Sequence, residues 1–144
     1  MTELMVNPPT EGVESKETIA EYKKQHDECL NSLKIRAKLL TTKLNEIKGI
    51  KCNEVEGAMY AFPRIFLTES CIAEAKKRGM EADLFYCMEC LENTGIIIVP
   101  GSGFGQKPGS YHFRITNLIY DVKEFEIAMN LLKKFTEEFF ARYP

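Results

Sequence analysis

Between Ser15 and Lys48, the residues Ile19, Tyr22, His26, Leu30, Leu33, Ala37, Leu40, Leu44 and Ile47 follow one another at intervals of three or four. That is the period of an α-helix, and it lays these side chains along one seam. A single helix over this stretch would run about 50 Å. A domain drawn from only 144 residues does not need so long a rod across its own core. Gly49 is placed to stop it, because the left-handed residue after a helix is favourably glycine. His26 lies within the seam, so a packing role is expected for it. The opposite face has no orderly charge pairing of the kind a coiled coil would use.

After Gly49 the period changes. Residues 50–55 read as a short strand, Gly57 interrupts, and 58–66, rich in aromatic and apolar residues, reads as a second strand. Thr68 or Ser70 is suited to cap a short helix ending near Arg78, with Gly79 just beyond it. Residues 81–93 suit another helix, closed by Gly95. Residues 96–99 form an apolar run that predicts a buried strand, bounded by Pro100 and Gly101. A glycine-rich loop then leads to a strand over 111–116. Asp121 and Glu124 have the spacing of a capping box and open a final helix. The expected fold is therefore α+β: a small, mainly antiparallel sheet with helices packed on it, preceded by a long linking helix. Residues 1–14, with Pro8, Pro9 and Gly12, read as a leader or linker, 15–48 as the long helix, and 49–144 as the domain proper.

Charge and cysteine usage narrow the classes of function. Nineteen Lys and Arg stand against 21 Asp and Glu, a net charge of -2. A nucleic-acid partner is not expected from that balance, because phosphate recognition rests on an excess of basic charge. No apolar run approaches the ~20 residues needed to cross a bilayer, so no membrane partner is expected either. The first residues lack the basic and apolar regions of a secretory signal. Five cysteines, an odd number, suggest free thiols in a reducing compartment, with the cytoplasm as the expected location.

Few residues have the spacing of reactive chemistry. Gly101-Ser-Gly-Phe-Gly105 follows a strand, yet its spacing differs from a dinucleotide fingerprint and no helix follows. It reads as a turn or as a ligand-facing loop. Cys87 and Cys90 have Cys-x-x-Cys spacing but fall inside an amphipathic helix with no second ligand pair, so neither zinc nor redox use is expected. The two histidines, His26 and His112, have no nucleophile in a recognisable setting nearby. The chain thus offers no self-contained catalytic machinery. Arg114 is the candidate binding residue. Strand alternation places Tyr111, Phe113 and Ile115 on one face and His112, Arg114 and Thr116 on the other. A strand can hold a guanidinium in a fixed pose, and its planar fork suits a carboxylate. The pattern by itself also fits an arginine in solvent on an outer sheet face.

Taken together and in order, the segments Met5–Pro9 (MVNPP), Cys52–Ile65 (CNEVEGAMYAFPRI), Thr94–Gly95, Val99–Gln106 (VPGSGFGQ) and Tyr111–Thr116 (YHFRIT) resemble the C-terminal part of alanine aminotransferases. These are pyridoxal-phosphate enzymes of the aspartate aminotransferase fold. The resemblance extends from about Met5 to the last residues. It implies a small C-terminal domain joined to a large cofactor domain by the 15–48 helix, within a larger enzyme that is a homodimer. It also implies that Arg114 grips the α-carboxylate of amino-acid and 2-oxo-acid substrates. The Gly101–Gly105 loop and the strand carrying Tyr60 resemble segments near the substrate cleft, with no specific role implied.

The family's chemistry needs a Schiff-base lysine and groups that hold pyridoxal 5'-phosphate. None of the fourteen lysines here has a context resembling that lysine. The expectation is that the larger enzyme binds the cofactor, that this chain binds none, and that it is inactive alone. The larger enzyme would interconvert L-alanine and 2-oxoglutarate with pyruvate and L-glutamate, in the cytosol or the mitochondrion. Two other readings stay open: a free-standing α+β module that binds an amino acid for regulation, and a structural or dimerisation piece.

Overall fold

The computed structural model describes residues 6–144. Met5, the first residue of the MVNPP segment, and the start of the 1–14 leader lie outside the described residues. The chain divides into one compact unit ending at Ile35 and a second from Arg36 to Pro144.

Helix α1 spans Lys16–Asn45. In the first unit its seam is largely open. Ile19 is buried, but Tyr22 and Leu30 are 40% and 51% exposed. His26 is exposed as well and stacks on Tyr22 at a ring distance of 5.9 Å. The expected packing role of His26 is therefore not found. A helical period decides which side chains share a face; it does not decide what covers that face.

In the second unit the seam is used fully, with Leu40, Leu44 and Ile47 buried. The helix ends three residues before the expected Lys48, and Asn45 accounts for this. Its amide nitrogen donates to the Cys52 carbonyl, and its amide oxygen accepts from the Cys52 N–H, each at 3.0 Å. This side chain occupies both backbone groups of Cys52 as a neighbouring strand would. The expected 50–55 strand is accordingly reduced to β1 (Ile50–Lys51). Gly49 lies between the two elements at a φ of 89°. A Cβ there would stand 2.8 Å from the Phe140 ring, so both conformation and space require glycine.

The sheet is antiparallel throughout its pairings. Strand β5 (Tyr111–Thr116) lies at its centre. Along one edge of β5 run β2 (Tyr60–Ala61) and β3 (Arg64–Ile65), end to end: Tyr60 faces Thr116 and Arg64 faces His112. The expected 58–66 strand is split here because Pro63 has no N–H to give the ladder. Its carbonyl still accepts from Phe113 N at 3.2 Å. Strand β1 extends the sheet beyond β3. On the opposite edge of β5, β4 (Val99–Pro100) pairs Val99 with Arg114. The apolar run 96–99 is not a fully buried strand, since Ile98 is buried while Ile97 is 75% exposed.

Three helices complete the second unit: α2 (Glu69–Lys77), α3 (Ala82–Thr94) and α4 (Val122–Arg142). Thr68 caps α2 by accepting from Cys71 N, and Asp121 caps α4 by accepting from Lys123 N and Glu124 N. Gly95 ends α3 in the left-handed conformation. The odd-numbered face of β5 supplies buried Phe113 and Ile115 to a core with Phe85, Tyr86, Phe135 and Phe139. Burying one such side chain contributes about 2 kcal/mol. The Tyr86 hydroxyl, fully buried, meets Thr136 Oγ1 at 2.8 Å, while Thr136 Oγ1 donates to the Leu132 carbonyl. Thr136 has thus spent its proton, so Tyr86 is the donor of the pair.

Candidate functional site

The other face of β5 carries His112, Arg114 and Thr116. The register brings Tyr60, Phe62 and Arg64 onto the same face from the neighbouring edge. Phe104 arrives from the far side, at the end of the 3-10 turn Gly101–Phe104 that continues β4. Arg114 is therefore flanked from both edges of its own strand. Its guanidinium carbon lies 4.8 Å from the Tyr60 ring centre and 5.1 Å from that of Phe104. The side chain is half-buried, and among the described residues no carboxylate pairs with it. Aromatic faces attract the cation and leave its N–H edges as the groups able to bind an anion.

A chain of ring contacts holds this arrangement in place. Phe104 meets Phe62 edge to face at 5.6 Å, and Phe62 stacks on His112 at 5.1 Å with the planes 3° apart. Beneath them lies Asp83, a buried carboxylate in the first turn of α3. Its Oδ2 accepts from Ser102 N at 2.6 Å and from Gln106 Nε2 at 2.8 Å, and its Oδ1 accepts from Leu84 N. Because an ionised carboxylate can only accept, the Gln106 amide nitrogen must face it. The amide oxygen then faces His112 Nδ1 at 3.0 Å, so Nδ1 carries the proton. Burial lowers the pKa of His112, the positive charge of Arg64 lowers it further, and Asp83 partly offsets both. These bonds tie the Gly101–Gln106 segment to α3 and β5 and so place Phe104.

Of the residues singled out from sequence, Arg114 is at the centre of this cluster. The Gly101–Gly105 loop contributes through Phe104, and of its glycines Gly101 is the one packed closely against β5. A Cβ at Gly101 would stand 2.8 Å from the His112 carbonyl oxygen. Cys87 and Cys90 are buried in α3, and burial raises the pKa of both thiols. Among the described residues no cluster of metal-ligating side chains occurs. A groove of about 310 Å³ lies on the other side of β5, lined by residues including Ile96, Ile97, Ile115, Phe125 and Met129. It is apolar and presents no converging charged groups. Sequence reasoning missed Asp83, Gln106 and Phe104. For Asp83 a signal existed, an acid at the start of a helix whose next five residues, Leu84 to Met88, carry no charge.

A Danio rerio protein named alanine aminotransferase 2-like is 46% identical over 143 residues, which is 99% of this chain and 25% of that protein. The chain is homologous to alanine aminotransferases. Glutamate–glyoxylate aminotransferase 1 of Arabidopsis thaliana is equally similar, 46% identical over 140 residues, covering 97% of this chain and 28% of the relative. Among solved structures, the alanine aminotransferase of Pyrococcus furiosus superposes with a TM-score of 0.64 at 30% identity, over 84% of this chain and 28% of that one. No family model matches the chain. The chain spans about a quarter of the length of the curated relatives it matches. The α+β architecture is that of one portion of the aminotransferase fold.

The residues of the Arg114 face do not fit pyridoxal phosphate. That cofactor takes an amine for its Schiff base and a set of donors for its phosphate. None of the side chains that make up this face is a lysine, and Gly101, which opens the glycine turn, is packed against the His112 backbone. The Arg114 guanidinium is the group of this face suited to bind an anion.

Proposed function

We propose that this chain is the small domain of an aminotransferase and supplies the arginine that binds the substrate's α-carboxylate. In this reading residues 15–48 form the helix linking it to a large domain, residues 1–14 lead into that helix, and 49–144 form the small domain. The large domain, on the same polypeptide, holds pyridoxal 5'-phosphate, and the whole enzyme is a homodimer. Its reaction is amino transfer between L-alanine and 2-oxoglutarate, giving pyruvate and L-glutamate.

The observation that carries the reading is the pose of Arg114: half-buried, held between two rings, with no internal acid taking its charge among the described residues. Both half-reactions need the same grip, because every amino acid and 2-oxo acid involved carries a carboxylate. A fixed guanidinium holds it by donating two parallel N–H···O bonds and sets the orientation of the substrate's Cα. Such a grip does not by itself choose between alanine and a closely related donor.

The test is Arg114→Lys in the whole enzyme that contains this segment. Charge is kept and the fork is lost, so KM for alanine and for 2-oxoglutarate should rise by about tenfold or more. Unchanged KM values for both substrates would remove Arg114 from the binding site.

A further inference from the structure

Resting on the carboxylate reading of Arg114, we infer that Tyr60 and Phe104 make its guanidinium a flat slot that selects planar carboxylates over tetrahedral anions, with Phe104 as the positioning residue. The five N–H groups of a guanidinium lie in one plane. Tyr60 and Phe104 come from opposite edges of β5 and lie within 4.8 and 5.1 Å of the guanidinium carbon. With two rings this close to the guanidinium carbon, the N–H edges are left as the approach to the cation. A carboxylate enters edge-on, because its two oxygens lie in the plane of the N–H groups. A phosphonate brings its third oxygen out of that plane and into the rings.

The placement of Phe104 is built, not incidental. Its turn is fastened by two bonds to the buried Asp83 carboxylate, from Ser102 N and Gln106 Nε2. Its ring is braced edge to face by Phe62. Gly105 follows at a φ of 68°, a conformation that lets the chain turn immediately after the ring. Phe104 nevertheless remains 49% exposed, so its substitution should leave the core intact.

The experiment uses the isotope-labelled chain and follows the Arg114 Nε–Hε resonance by NMR. Propionate and ethylphosphonate serve as probes, since they share an alkyl group and differ in the shape of the anion. Wild type should show an ordered Nε–Hε vector and bind propionate more tightly than ethylphosphonate, despite the latter's greater charge near neutral pH. Phe104→Leu should lower the order of that vector and reduce the propionate preference by about fivefold. Phe104→Trp, which keeps a ring, should restore both. An unchanged spectrum elsewhere confirms that the Leu variant is folded, and Tyr60→Leu provides an independent second variant. If order and preference are the same in wild type and both Leu variants, the slot is refuted. That outcome is separable from failure of the carboxylate reading, which would appear as an unchanged KM for Arg114→Lys in the whole enzyme.

Discussion

His112 illustrates how a single residue ties the site to the fold. Its Nδ1–H is committed to Gln106, its ring lies flat on Phe62, and Arg64 stands across the ladder from it. A second proton would place a cation opposite Arg64, with Asp83 partly offsetting it. The pKa in the fold is accordingly below the ordinary 6.5, chiefly through burial. The native state therefore favours the neutral ring, and its contribution to stability is fully present above about pH 6.5. It is lost as the pH falls through the lowered native value. Urea midpoints of the wild type should fall between about pH 7 and pH 5 more steeply than those of His112→Asn, which has no titrating ring. Parallel losses in the two proteins would show that His112 does not carry this dependence. At this scale the sequence was legible only in part. Strand alternation placed Arg114 on the face opposite Phe113, and that placement holds. Gln106 lies in a loop with no period, and its bond to Asp83 spans 23 positions, so no local pattern could have announced it.

Among the elements, local signals held where a residue acts on its immediate neighbours. Asp121 accepts from Lys123 N and Glu124 N at 2.7 and 3.1 Å and so satisfies two of the four unpaired donors that begin α4. That helix buries Phe125, Met129, Leu132, Phe135 and Phe139 against the sheet and α3, so its first turn bears on the whole core. Asp121→Ala should lower the stability of the chain by about 1 kcal/mol, with Asp121→Ser recovering most of it. Urea unfolding followed by far-UV circular dichroism measures this, and an unaltered midpoint for the Ala variant would count against the cap. Thr68 and Gly95 were legible on the same grounds. The ends of α1 and β1 were not, because the Asn45 amide that closes both elements bonds to Cys52, seven residues away. The division of the 58–66 strand was visible in principle at Pro63. The fate of His26 was not, since the periodicity of a seam carries no information about its covering.

For the molecule as a whole, the division of labour between anion recognition and group transfer makes the sharpest prediction. Amino transfer needs three things at one point: a held carboxylate, a base at the substrate's Cα, and an electron sink that stabilises the carbanion formed there. The Arg114 face offers a guanidinium for the first and no electron sink for the third. His112 gives its Nδ1 proton to Gln106, which leaves Nε2 as its one basic atom, and a base without an electron sink does not complete the transfer. The buried cysteines have thiols raised by burial, that of Cys71 to about 12, so none is a ready base or nucleophile near neutral pH. The chain also spans only about a quarter of the length of its aminotransferase relatives. The purified chain, supplied with pyridoxal phosphate, L-alanine and 2-oxoglutarate, should therefore form pyruvate no faster than the mixture without protein, as followed by coupled reduction to lactate. Removing Arg114 should leave that background unchanged, because a binding group without a reaction centre accelerates nothing. Protein-dependent pyruvate formation that is abolished by Arg114→Gln would overturn the division, and would mean that these 144 residues assemble a complete active site.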